Sequence, residues 1–314
     1  MDRVLFSRRD AVKLTGAACV GLSMGSAFAA GELPLITRKI PSSGEELPVI
    51  GLGTNAYGVT DPAEIAARRE VLRRMPELGG KVVDTARGYG ASEEVIGRLV
   101  AELGNRDKLF IATKTPMNGD VSNPDAVIEE SFRRLAMDRI DLMQVHNMHG
   151  LDTLLPAFEK WKKDGRIRYI GVSTSFNPQY EQLKQAMTRY PLDFIQVDYS
   201  IDNRDAADEI LPLAEERGIA VLANTPFNGR RNAAGLFARV ADRKLPDWAA
   251  EIDVATWPQF FLKYVVSHPA VTVAIPGTTK LSHLEDNQRA ARGRLPDADM
   301  RRRMEQFWDS LAAT

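Results

Sequence analysis

The chain has 314 residues, 44% hydrophobic and 26% charged, with 17 Pro and 23 Gly. This usage excludes a collagen, a coiled coil and an intrinsically disordered chain. Lys and Arg number 41 against 42 Asp and Glu, a formal net charge of −1. No basic surplus is available for a polyanion, so no nucleic-acid partner is expected. The single cysteine, Cys19, lies near the N-terminus. The rest of the chain has no thiol for a disulfide, a nucleophile or a Cys-ligated metal.

Residues 1–29 read as an export signal. Arg8-Arg9 and Lys13 precede a Gly/Ala-rich apolar run over 15–24, and Ala27-Phe28-Ala29 is a small-x-small cleavage signal. The paired arginines resemble a bacterial twin-arginine (Tat) signal, the type that exports folded proteins, although Ala11 and Val12 replace the usual bulkier pair. The expectation is a periplasmic protein with the Tat translocase as its partner in transit. The apolar run is far short of the ~20 residues a membrane span needs, so no stable membrane insertion is expected. Residues 30–314 contain no Pro/Ser-rich linker and read as one domain.

Segments 35–40 and 46–50 flank Ser42-Ser43-Gly44, a hairpin pattern expected to cap the bottom of the fold. Apolar, β-branched runs then recur at 49–54, 81–85, 109–114, 142–146, 169–173, 194–199, 220–225 and 271–276. Between them 64–78, 93–103, 125–136, 154–163, 178–189 and 206–217 have helical period. Ile65, Val71, Leu72 and Met75 share one helical face in the first of these. Strands alternating with helices imply parallel pairing and burial on both faces. Eight βα units imply an α/β fold of the (β/α)8 TIM barrel type, with a doubly wound open sheet as the competitor. The longer interval 226–271 is expected to carry an extra helix or a loop over the mouth. Segment 292–303, with five arginines, is expected to be a solvated helix face.

Gly51-Leu52-Gly53-Thr54-Asn55-Ala56 formally matches a dinucleotide fingerprint. A Rossmann loop runs straight into a helix, whereas here Tyr57-Gly58-Val59-Thr60 intervenes before the helix start at Asp61-Pro62. The segment therefore reads as a tight turn at the barrel rim.

Barrel enzymes carry their chemistry at C-terminal strand ends. Asp84, Lys114 and His146 fall at the ends of three successive runs, and Tyr89 follows Asp84 closely. Singly, these are a helix cap, a rim lysine and a core histidine. Together, a carboxylate, an ammonium, an imidazole and a phenol on one rim point to a site. A hydrolase using Asp84 and His146 alone would leave Lys114 and Tyr89 without a task. His146 and His149 have an H-x-x-H spacing, but no third ligand is near in sequence and no metal is expected.

Asp84-Thr85-Ala86, Tyr89-Gly90 and Ser92-Glu93 resemble the aldo-keto reductase signature. Segments 141–146, 165–173 and 275–278 resemble that family's later motifs, in the same order. The resemblance implies NAD(P)H-dependent reduction of a small-molecule carbonyl on a (β/α)8 barrel, with Asp84, Tyr89, Lys114 and His146 as its tetrad. Hydride reaching a carbonyl carbon leaves charge on oxygen, which needs a proton and hydrogen-bond donors. A phenol is a weak acid, and a neighbouring ammonium makes it a better one.

The resemblance also implies a nicotinamide held by Thr54, Ser173, Thr174 and Gln196, and phosphate near Gly277, Thr278 and Thr279. Lys280, His283, Asp286 and Asn287 would surround the adenosine end, although 281–291 taken by itself reads rather as an ordinary capped helix. Thr174 replaces the usual Asn, Asn224 the aromatic that stacks on nicotinamide, and Gly277 and His283 the usual basic pair. Lys280 could pair with a 2′-phosphate, so NADP(H) is expected ahead of NAD(H). Tyr57, Met148, His149, Phe227 and segment 228–253 are expected around the substrate. An exported nucleotide-sensing module with weak or no turnover is the alternative reading.

Overall fold

The computed structural model describes residues 33–228 and 235–311. Segment 1–29, expected to be an export signal and containing Cys19, lies outside the described residues, as do 229–234 of the long interval. Two short antiparallel strands, β1 (Thr37–Lys39) and β2 (Glu46–Pro48), form the N-terminal hairpin. Eight parallel strands follow: β3 (Leu52–Gly53), β4 (Val82–Asp84), β5 (Phe110–Lys114), β6 (Ile140–His146), β7 (Ile167–Ser173), β8 (Phe194–Asp198), β9 (Ala220–Asn224) and β10 (Val271–Ala274). They pair in chain order, with no reversal at which a doubly wound sheet would switch direction. The edges approach through parallel bridges, Ile50 with Ala274 and Gly53 with Gly277. The result is a curled parallel sheet that matches the (β/α)8 architecture.

The rejected fingerprint finds its explanation here. A Cβ on Gly53 would stand 2.9 Å from the Ile275 carbonyl oxygen, so a side chain there would push the first strand away from the last. The chain then turns through Thr54 to Asp61, whose Oδ1 accepts from the Glu64 N–H at 2.9 Å and caps α1 (Pro62–Glu77). On α1, Val71, Leu72 and Met75 are buried, while Ile65 is only partly so. The remaining helices are α2 (Ser92–Leu103), α3 (Pro124–Leu135), α4 (Leu151–Lys163), α5 (Tyr180–Arg189), α6 (Ile210–Arg217), α7 (Gly235–Val240), α8 (Trp257–Val266), α9 (Leu281–Arg289) and α10 (Ala298–Ser310). The long interval thus contains α7, a 3-10 turn over Asp247–Ile252, and α8. Among the described residues no helix is long and apolar enough to cross a membrane.

Side chains alternate between the two faces of each strand. On the inner face Val82, Phe110, Ala112, Leu142, Tyr169, Phe194, Ala220, Leu222, Val273 and Ile275 form one buried cluster with Ile40 and Leu47 from the hairpin. Phe110 and Tyr169 stack at 5.8 Å between ring centroids, and Tyr169 meets Phe194 edge-on at 5.6 Å. Continuing each alternate series toward the strand's C-terminal end gives Asp84, Lys114, Gln144, His146, Ser173, Gln196, Asn224 and Gly277. The interior is apolar at one end and polar at the other. That gradient positions the site.

The arginine-rich segment is helical only from Ala298 onward; Arg294, Arg302 and Arg303 are exposed as expected, whereas Arg292 and Arg301 are half-buried. Arg301 donates to Ser267 Oγ at 2.6 Å and to the Tyr199 hydroxyl at 2.7 Å. Arg292 donates to the carbonyls of Leu33 and Leu78, both at 3.1 Å. These guanidinium groups satisfy acceptors contributed by distant segments, which the local run of charge does not reveal.

Candidate active site

Lys114 ends β5 and is 1% exposed. Its ammonium donates to Asp84 Oδ2 at 2.6 Å, to the Thr85 carbonyl at 2.8 Å and to the Tyr89 hydroxyl at 3.4 Å. An ammonium has three hydrogens, and each has an acceptor here. Burial by itself pushes the Lys114 pKa down, but the Asp84 carboxylate and then Tyr89 outweigh it, and the net direction is up. Lys114 is therefore a held cation. Strand register completes the set: Lys114 pairs with Gln144, His146 with Ser173, and Ser173 with Gln196.

Tyr89 lies in the turn after β4, where its N–H donates to the Ala86 carbonyl at 3.1 Å. Its ring meets His146 edge-on, centroids 6.1 Å apart, and Lys114 Nζ stands 5.0 Å from its centroid. The Ser92-Glu93 part of the motif anchors this turn. Ser92 Oγ donates to the Thr54 carbonyl at 3.0 Å, and Glu93 Oε1 accepts from Thr113 Oγ1 at 2.6 Å. Burial pushes the Glu93 carboxyl up to about 7.

His146 is 6% exposed and its Nδ1 has no hydrogen-bond partner. Burial, and then the Lys114 charge, push its pKa down to about 3. It is a neutral imidazole at neutral pH, with a single N–H to give. His149 is half-buried, its Nε2 2.8 Å from the Gly119 carbonyl oxygen.

The polar ends surround a cleft of about 320 Å3. Of the residues expected from the sequence, Thr54, Asp84, Tyr89, His146, Ser173, Thr174, Gln196, Phe227 and Gly277 line it, with Lys114 in contact with two of them. Thr278 is buried and accepts from Asn287 Nδ2 at 3.0 Å. The Asp286 carboxylate accepts from Thr256 Oγ1 at 2.9 Å and from Gln259 Nε2 at 2.7 Å, holding α9 to the start of α8. Asn287 thus braces the loop after β10 and Asp286 the contact between α8 and α9, and neither lines the cleft. Thr279 is half-buried, and Lys280 and His283 are exposed around the start of α9. Tyr57, Met148 and His149 do not line the cleft either, against expectation. Tyr57 is fully buried, with its hydroxyl donating to the Thr278 carbonyl at 3.1 Å.

Asn55, Asn147, Ser175, Thr225, Pro226 and Ile275 line the cleft without having been singled out. Each follows or adjoins a strand end, the one sequence signal that could have found them. Asn147 (φ 50°), Met148 (φ 60°) and Thr225 (φ 46°) all have left-handed backbones. Such conformations are uncommon for residues other than glycine and collect at functional rims.

A parallel barrel-type sheet with a phenol, a held ammonium and a neutral imidazole at one mouth defines an acid–base enzyme site. Residues 49–308 match the model of the aldo/keto reductase family, and the chain belongs to that family. It is similar to the NADP(+) aldo-keto reductase yakc of Schizosaccharomyces pombe, 28% identical over 309 residues, 84% of this chain and 89% of the relative. Methylglyoxal reductase YeaE of Escherichia coli is 29% identical over 270 residues, 84% of this chain and 92% of the relative. Among solved structures, an aldo/keto reductase from Klebsiella pneumoniae in complex with NADP and acetate is 25% identical. It has a TM-score of 0.68 and covers 84% of this chain and 93% of its own. None of these findings supports the nucleotide-sensing alternative.

Proposed function

We propose that the protein is an NADP(H)-dependent reductase of an aldehyde or ketone, with Tyr89 as the proton donor. The observation that carries this is the Lys114 ammonium, bonded to Asp84 at 2.6 Å and reaching the Tyr89 hydroxyl at 3.4 Å on the wall of an open cleft. A bound dihydronicotinamide supplies the hydride. Negative charge developing on the substrate oxygen is met by the Tyr89 proton and by a hydrogen bond from neutral His146. Lys114 stabilises the phenolate left behind, and Asp84 keeps Lys114 charged and oriented.

The residues present fit the cofactor. The cleft is polar where a carboxamide would lie, at Ser173, Thr174 and Gln196, and Gly277 leaves room for close approach. Thr278, Thr279 and Lys280 precede α9, whose N-terminal dipole favours phosphate, and exposed Lys280 and His283 suit the adenosine end. Lys280 and the NADP in the names of the relative and the solved structure support NADP(H) ahead of NAD(H). The apolar contacts of Ile40 and Leu47 support a hairpin that caps the end opposite the chemistry.

Steady-state oxidation of NADPH with a panel of aldehydes, methylglyoxal included, tests the reaction. Fluorescence titration with NADPH and NADH separately tests the cofactor. Aldehyde-dependent NADPH consumption is expected; nucleotide binding without turnover on any carbonyl would overturn the assignment.

We further propose that residues 1–29 direct Tat-type export of the single domain 30–314 to the periplasm, on the support of Arg8-Arg9, Lys13 and Ala27-Phe28-Ala29. The periplasm holds no pool of reduced nicotinamide, so the nucleotide would be taken up before transit. Periplasmic protein should release NADP on denaturation, as read by mass spectrometry, and empty protein would contradict preloading.

A further inference from the structure

Asp84 has to aim one oxygen at Lys114, and the chain supplies a device for this. Asp84 Oδ1 accepts from Gln196 Nε2 at 2.9 Å and from Gln144 Nε2 at 3.4 Å, which leaves Oδ2 for the ammonium. Gln196 is 2% exposed and Gln144 fully buried. They come from β8 and β6, and Asp84 from β4; alternate strands of a barrel send side chains into a common interior layer. Gln196 Oε1 in turn accepts from Asn224 Nδ2 at 3.4 Å, and that Asn224 amide also donates to the Thr174 carbonyl at 3.0 Å. A primary amide has a donor end and an acceptor end. Asn224 at the oxygen end turns the nitrogen end toward Asp84. Reversing the Gln196 amide would set its oxygen against a carboxylate in a buried site, a costly arrangement. Hydrogen bonds therefore run unbroken from Asn224 through Gln196, Asp84 and Lys114 to Tyr89.

We propose that Gln196, held by Asn224, is a positioning residue for proton donation: it fixes the Asp84 carboxylate so that Lys114 directs a hydrogen at the Tyr89 oxygen. This rests on Tyr89 being the donor, and it gives Gln196 a task beyond touching the nicotinamide. Asn224, which replaces the aromatic usual at this position in the family, then belongs to the acid machinery.

A double-mutant cycle tests it, with NADPH and methylglyoxal as probes and NADPH affinity measured by fluorescence in every variant. Tyr89→Phe is expected to lose about 10²-fold or more in kcat. Gln196→Met should lose about tenfold in kcat at saturating NADPH in the Tyr89 enzyme and less than about twofold in the Tyr89→Phe background, separately from any loss of NADPH affinity through its place beside the nicotinamide. Equal losses in both backgrounds, or a loss confined to NADPH affinity, overturn the proposal and leave Tyr89 as donor. Normal turnover by Tyr89→Phe overturns the donor assignment and the proposal with it. Should Gln196→Met fail to fold, Asn224→Ala takes its place. That variant removes the donor to Gln196 Oε1 from a half-exposed position, and its loss must likewise vanish in the Tyr89→Phe background.

Discussion

Lys114 Nζ stands 2.6 Å from Asp84 Oδ2, with the lysine 1% and the aspartate 3% exposed. Two opposite charges so enclosed depend on one another, since removing either strands the other in a poorly solvated site.

Asp84→Asn is therefore expected to destabilise the fold by about 3 kcal/mol and to abolish turnover. Adding Lys114→Met should restore part of the stability and none of the activity. Denaturant titration of both variants checks this; a double variant less stable than Asp84→Asn would contradict it.

Burial and Lys114 hold His146 down to about 3, below its ordinary value of 6.5. Its ring resonances in NMR should then stay those of a neutral imidazole from pH 8 to about pH 4. The sign for stability follows. Between 6.5 and about 3 the unfolded chain takes up a proton that the native site refuses, so this residue's contribution falls as the pH falls. A His146 signal titrating near 6.5 in the folded protein would refute it.

Glu93 has the opposite sign. Burial raises it from 4.5 to about 7, so the native state binds its proton more tightly than the unfolded chain. The stabilisation is full below about pH 4.5 and is lost as the pH rises through about 7. Glu93→Gln cannot titrate, and its Oε1 can still accept from Thr113. Its Tm relative to the unsubstituted protein should improve between pH 5 and pH 8, by several degrees. A difference in Tm independent of pH would contradict this reading.

Lys263 on α8 is fully buried and donates to three carbonyls: Ile252 at 2.6 Å, Arg292 at 2.8 Å and Arg294 at 2.8 Å. It joins the 3-10 turn before α8 to the segment before α10. Lys263→Met leaves those acceptors without their donor and should cost about 3 kcal/mol, read as a lower Tm. It lines no part of the cleft, so kcat below the melting range should be preserved. A lost kcat with unchanged Tm would show that the clasp reading is wrong.

Residue order by itself determined the alternation of strands and helices, the Asp61-Pro62 helix start, and the gathering of Asp84, Tyr89, Lys114 and His146 at one rim. These are legible because they are local. Periods of two and 3.6 residues record which face is buried, and a polar residue that ends an apolar run marks the open end of a barrel. Tertiary structure alone decided which polar groups meet. Gln196 and Asp84 are 112 positions apart in sequence, and nothing near either predicts their 2.9 Å bond. The same holds for Tyr57, withdrawn into the core, for Asp286, turned toward α8, and for Arg301, bonded to Tyr199. Such partners are chosen by strand register and helix docking, which depend on how the whole apolar interior packs and leave no short-range trace in the chain.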